Sequence, residues 1–218
     1  REDRLRNEIK QQLQQVRELF VNTPYLTALL NEIEECRQDS LLGGEPECVL
    51  ITGNTGAGKT SLIQRYLDKH PREAQDDKTV ISVLFTTLPE NASPVSASQQ
   101  MLKDLGDSFY YTSKNEVLLS NRLVTLLRQC GTELIIIDEF QHMIERRNSR
   151  VLHRAADWLK TLIVRSNVPV AMFGMPHSRV ILDSNAQLAR RFMLQRQLKP
   201  FRVKNEKERL IFLQFLAI

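Results

Sequence analysis

The residues best equipped for chemistry lie together at positions 53 to 60, Gly-Asn-Thr-Gly-Ala-Gly-Lys-Thr, directly after the apolar run at 48 to 51. Gly53, Gly58, Lys59 and Thr60 fill every fixed place of the spacing G-x-x-x-x-G-K-[ST]. Glycines permit positive φ and let backbone N–H groups turn inward around an anion. Lys59 is placed to reach the β- and γ-phosphates of a nucleotide and Thr60 to ligate magnesium. The helix that starts there points its positive end at the same anion. Asn54, Thr55, Gly56, Ala57 and Ser61 complete the loop and are expected to line the phosphates with them.

Such a loop needs a carboxylate on a neighbouring strand to orient hydrated magnesium. The apolar run at 134 to 137 ends in Asp138, the expected metal-orienting acid, and Glu139 follows, placed to polarise a water against the γ-phosphate. An aspartate alone would suit a kinase or a GTP switch. The Asp-Glu pair points to an ATPase that uses ATP and Mg2+, turning ATP and water into ADP and phosphate. Zinc or other metal chemistry has no support, because His70, His142, His153 and His177 show no ligand spacing with one another or with a cysteine.

The elements that must position these residues follow from periodicity. Leu5, Ile9, Leu13, Val16, Leu19 and Phe20 predict an amphipathic helix over 2–20. Thr23 as N-cap and Pro24 at the first helical position predict a second, running to about Arg37. From residue 48 the pattern becomes strands alternating with helices. Strands are expected at 48–53, 78–87, 134–140, 168–174 and 197–201, and helices at 58–70, 96–107, 115–130 and 149–166. Leu118, Leu119, Leu123, Leu126 and Leu127 are the expected apolar face of the helix at 115–130. Continuous apolar strands between helices imply a parallel sheet covered on both faces, an α/β fold.

The chain has 218 residues, 42% of them hydrophobic and 26% charged, enough for one α/β domain with an appendage. No apolar run reaches the roughly 18 residues of a membrane span, so no membrane role is expected. Three separated cysteines form no disulfide framework, which points to a reducing compartment and a cytoplasmic protein. The start on Arg1 and the apolar end suggest a piece of a longer protein. Charge is uneven: residues 140 to 218 hold 15 Lys/Arg against 5 Asp/Glu, and residues 1 to 139 hold 15 against 21. A basic half beside an acidic one suggests a polyanion such as nucleic acid, or arginines used in subunit contacts.

Four segments in this order and spacing, GNTGAGKT, LIIIDEFQHM, VPVAMFGMP and QLARRF, resemble AAA+ ATPases, a P-loop NTPase class. They most closely resemble the TniB/TnsC family of DNA transposition regulators, over roughly residues 20 to 205. That resemblance implies an N-terminal helical extension (1–45), an AAA+ core (46–203) and the start of a truncated C-terminal helical lid (204–218). It implies a homo-oligomer, a ring or filament on double-stranded DNA, that links a TniQ-type target-selection protein to the transposase. By position, Arg190 and Arg191 match the place of an arginine finger reaching the neighbouring subunit, with Arg191 the first choice. A guanidinium supplied in trans would neutralise transition-state charge and make hydrolysis depend on assembly and DNA.

One departure concerns the strand ending at Gly174. Met175 and Pro176 stand where the family carries a polar sensor, leaving His177 or Ser178 as substitutes, or no sensor at all, and hence slow hydrolysis. Contacts to DNA phosphates are expected from Arg146, Arg147 and Arg150, then from Lys103 and Lys114, with Tyr110 and Tyr111 nearby. Three other readings stay open: an ATP-dependent DNA-binding scaffold with little hydrolysis, a replication initiator or helicase loader, and a small-molecule kinase. The N-terminal helices either recruit a partner or cover the sheet.

Overall fold

The computed structural model describes residues 23–76, 79–145 and 148–200, with single positions 206, 209, 210 and 213. The helix expected over 2–20, Arg146, Arg147, Phe201 and nearly all of the expected lid lie outside the described residues. The chain divides into two compact units, Leu29–Pro200 and the pair Arg1–Ala28 with Phe201–Ile218. Apart from the first residues of α1, the strands and helices named in this section belong to Leu29–Pro200.

Helix α1 (Pro24–Leu41) starts as expected, with the Thr23 hydroxyl accepting from the Leu26 N–H at 3.2 Å. It runs past Arg37 to Leu41, before Gly43 turns the chain at φ +88°. Then come β1 (Val49–Gly53), α2 (Lys59–Leu67), β2 (Glu73–Ala74), β3 (Thr79–Val80) and β4 (Val83–Thr87). Next are α3 (Pro94–Asp104), α4 (Glu116–Gln129), β5 (Leu134–Asp138), a 3-10 turn (Phe140–Met143) and α5 (Ser149–Ser166). The unit closes with β6 (Val170–Gly174), a second 3-10 turn (Pro176–Arg179), α6 (Val180–Asp183), α7 (Ala186–Arg191) and β7 (Leu194–Leu198).

Five strands form one parallel sheet in the order β4-β5-β6-β1-β7. Every residue of β1, β5 and β6 is buried. Strands this apolar demand cover on both faces, which the helices supply. This is the P-loop AAA+ fold.

The acid strand is not the immediate neighbour of the loop strand that the sequence predicts: β6 lies between β1 and β5. Parallel strands are joined by crossovers, so chain order does not set spatial order. After β1 the chain crosses to β4 on one side, and after β6 it passes β1 to reach β7. The carboxyl ends around β1 therefore open a crevice, where ligands of such sheets bind.

Four local expectations are corrected. The strand expected over 78–87 is two pieces. Thr79 and Val80 pair antiparallel with Ala74 and Glu73, and only Val83–Thr87 joins the main sheet. Between the pieces, the Ile81 N–H donates to the Cys130 carbonyl at 2.8 Å, and the Ser82 carbonyl accepts from Glu133 and Leu134. The last strand is shifted back to Leu194–Leu198, since Pro200 has no N–H for a ladder. On α4 the buried face is Leu119, Leu123, Val124 and Leu127, while Leu118 is 58% exposed. Helix α3 also begins earlier than expected, because Ser93 and Ser96 form a reciprocal capping box ahead of Pro94.

Helix α1 is tied to the sheet by a partly buried polar cluster. Glu34 accepts from Arg37, from the Tyr66 hydroxyl at 2.7 Å and from Gln38 at 2.7 Å, and Arg37 also bonds Glu133. His70 Nε2 stands 3.5 Å from the Glu34 carboxylate. The Arg37 guanidinium, with Tyr66 and Gln38 adding to it, holds the Glu34 carboxyl down to about 2. Burial and Arg37 lower His70, favouring its neutral form. Both groups bind fewer protons folded than unfolded, so the cluster stabilises above the ordinary carboxylate range and fails as acid is added. Glu34→Gln is expected to cost about 2 kcal/mol at neutral pH. It should also flatten the loss of stability between pH 4.5 and about 2, a difference that thermal unfolding of both proteins across that window reads directly.

Candidate functional site

The loop after β1 is built by its glycines in two different ways. At Gly53 the constraint is space: an added Cβ would stand 3.0 Å from the Leu198 carbonyl oxygen and 3.2 Å from the Ala57 Cβ. At Gly56 and Gly58 it is conformation, with φ of +78° and +94° and nothing within 4 Å of an added Cβ. The space beside those two residues is open, and Gly58 leads straight into α2. Lys59 is buried, its Nζ donating to the Gly53 carbonyl at 2.8 Å and the Asn54 carbonyl at 3.3 Å. Asn54, Thr55, Thr60 and Ser61 are exposed, and Ala57 is half-buried.

Asp138 ends β5 with only 4% of its surface exposed. One carboxylate oxygen accepts from the Glu139 N–H at 2.8 Å. Burial pushes its pKa up, the Glu139 N–H opposes this, the Glu139 charge adds to the rise, and Lys59 pulls it back down. In the sheet, β6 separates the strand that ends in Asp138 from the strand that leads into the Lys59 loop. A carboxylate that burial holds above its usual range fits a divalent cation, and the open glycine loop with a buried ammonium fits a triphosphate. Thr60, exposed at the start of α2, and Asp138 are the residues that could hold such a cation.

Glu139 sits in the left-handed region at φ +56°, which costs a residue with a side chain about 1 kcal/mol. Its turn is pinned by Phe140 and Met143, both buried. The Glu139 carboxylate accepts from the Gln141 amide, and His142 Nε2 stands 3.6 Å away. Gln141 is 7% exposed, and its Oε1 accepts from the Met175 N–H at 3.1 Å, just after β6. The Met175 sulfur in turn lies 4.0 Å from the Thr55 hydroxyl of the glycine loop. Sequence reasoning passes over Gln141. Its one signal is a polar side chain two residues after the candidate base, in a turn that needs an anchor.

The expected substitutes for a polar sensor are placed differently from each other. Ser178 is fully buried against Gly174, and its hydroxyl has no partner among the described residues. An added Cβ on Gly174 would come 2.4 Å from that oxygen. His177 is half-buried. Among the described residues no group of His, Cys, Asp and Glu is suited to a metal cluster.

Arg190 is exposed on α7. Arg191 is half-buried, 3.4 Å from Glu45 of its own chain, and its carbonyl accepts from the Cys48 N–H at 2.7 Å. Phe192, wholly buried, fixes this end of α7. Of the residues expected at DNA, Arg150 and Lys114 are exposed. Lys103 is exposed on α3 with its Nζ 5.9 Å from the Tyr110 ring centre. Tyr110 packs on the core, while Tyr111 is 63% exposed.

The family model described as Bacterial TniB protein matches residues 11–202. Among solved structures the chain is similar to the ORC1 protein of Aeropyrum pernix in complex with DNA. Identity there is 16% and the TM-score 0.59, covering 90% of this chain and 50% of that one. It is also similar to the ORC2 protein of Aeropyrum pernix in ADPNP-ADP complexes, at 16% identity and TM-score 0.60, covering 91% and 53%. This chain spans about half the length of both, and at that identity the likeness is one of fold. No curated protein matches. Among the described residues no helix is long and apolar enough to cross a membrane. Lys59→Ala removes the buried ammonium and its two bonds to the loop carbonyls while keeping all the glycines of the turn. It is expected to weaken nucleoside triphosphate binding on the order of tenfold or more, measured by titration calorimetry.

Proposed function

The chain belongs to the TniB family, and from that premise we propose that it is an ATP-dependent, DNA-associated switch that oligomerises on duplex DNA and regulates transposition. The observation that carries this reading is that one parallel sheet holds both a buried Lys59, at the end of the glycine loop after β1, and a buried Asp138, at the carboxyl end of β5, with Glu139 next to the acid. Lys59 and the loop at 53–61 hold the phosphates. Thr60 and Asp138 would hold magnesium, which would supply positive charge against the negative charge of the phosphates. Glu139 is the base that takes a proton from the attacking water. The TniQ-type protein and the transposase are the proposed partners, the cytoplasm the proposed location, and 1–45, 46–203 and 204–218 the proposed functional divisions. The DNA and the ADPNP and ADP named with the two Aeropyrum structures agree with a DNA-bound nucleotide switch.

A second reading, a scaffold that binds ATP and DNA but barely hydrolyses, is favoured by one observation. The strand end where a polar sensor is expected carries Met175 and Pro176, and the nearby Ser178 hydroxyl is buried. Glu139→Gln separates the two. The switch expects phosphate release to fall on the order of a hundredfold while ATP-dependent coating of duplex DNA persists. Equal, slow release by both proteins makes the scaffold the correct description.

For the arginine acting in trans, exposure favours Arg190, since Arg191 is engaged by Glu45 within its own chain. In mixtures, Arg190→Ala protomers are expected to depress ATP turnover of unmodified ones more than Arg191→Ala protomers do, at matched stability. On DNA, Arg150→Ala is expected to lower affinity for all sequences alike and to reduce the salt slope by about 1.

A further inference from the structure

We propose that Gln141 is the positioning residue for the hydrolytic carboxylate, linking Glu139 to the end of β6, where Met175 and Pro176 stand in place of a polar sensor. The inference rests on the reading of Glu139 as the base. Four observations converge on it. Gln141 is almost fully buried, which an amide tolerates only with both ends bonded. Its Oε1 accepts from the Met175 N–H at 3.1 Å, and a backbone N–H can be met only by the oxygen end. That fixes the Nε2 end on the Glu139 carboxylate, so the orientation of the amide is settled by its partners. Finally, Met175 touches Thr55, so the glycine loop, the end of β6 and the base form one connected string.

The string connects the glycine loop to the base mechanically. A shift of the loop at Thr55 moves Met175, the Met175 amide moves Gln141, and Gln141 carries the carboxylate with it. The left-handed turn at Glu139 leaves that side chain without regular helical neighbours to fix its direction, so a donor must supply the direction. His142, at 3.6 Å, is too far to do so by a hydrogen bond.

Two variants and a control test this in the complete chain. Gln141→Met removes both bonds. Gln141→Glu keeps an oxygen for the Met175 N–H but sets a carboxylate against the carboxylate of Glu139. In nucleotide-free protein, amide exchange at Met175 followed by NMR is expected to speed up at least about tenfold in Gln141→Met and to stay unchanged in Gln141→Glu. With ATP, magnesium and duplex DNA at pH 8, both variants are expected to lose on the order of tenfold in turnover. Their affinity for ATP should stay within about twofold of the parent.

Protection of Met175 retained in Gln141→Met, or full turnover in Gln141→Glu, overturns the proposal. The control is Glu139→Gln. If it turns over like the parent, the base assignment itself fails and the proposal falls with it. If it is inactive while Gln141→Glu is fully active, only the role of Gln141 is lost.

Discussion

Two opposite charges are kept out of water on strands that do not touch: the Lys59 ammonium after β1 and the Asp138 carboxylate at the tip of β5, with β6 between them. Neither has an ion-pair partner of its own among the described residues. Lys59 rests on two carbonyl oxygens and Asp138 on one N–H. Burial without full neutralisation is costly. The site tolerates it because the rest of the unit over-determines the position of both strands. All of β1, β5 and β6 is buried, and their registers are locked on both sides of β6. A triphosphate with its cation is the species whose charges complement both groups at once, so the cost of burying the two charges and the affinity for ligand have one origin.

The second constraint is at the turn after β5. Asp138 stays at the strand tip, while Glu139 leaves the strand direction at once. The chain does this through a left-handed residue, held by the buried anchors Phe140, Met143 and Ile144 on one side and by the Gln141 bridge to Met175 on the other. The same logic recurs at α7, where buried Phe192 and the Cys48 amide fix Arg191 close to Glu45 and leave Arg190 on the outside. In both places an apolar residue fully inside the core decides which of two adjacent charged side chains faces inward and which faces out.

Much of this was legible from residues 53 to 60 and 134 to 139, because short motifs whose function depends on backbone shape carry their geometry with them. A glycine needed for positive φ, as at Gly58, declares itself by type and spacing alone, and so does a strand buried on both faces. By the same reasoning the N-cap at Thr23 and the helices over Glu116–Gln129 and Ser149–Ser166 could be placed from composition and period. Of the misplaced pieces, the split at Ile81 and Ser82, pulled across to Cys130 and Glu133, was decided by a distant backbone, whereas the start of α3 and the end of the last strand turned on the local chemistry of Ser93, Ser96 and Pro200.

What the order of residues determined by itself was the presence of a phosphate loop, an acid pair and a parallel α/β sheet, since each rests on local conformation or on the period of burial. Tertiary structure alone decided that β6 stands between the loop and the acids, that Arg191 rather than Arg190 is tied within its own chain, and that Gln141 reaches Met175. Those three facts join residues 34 to 146 positions apart in the chain, from Gln141 with Met175 to Glu45 with Arg191. Local pattern has no reach over that distance, and only the packing of a closed core brings such residues into contact with each other.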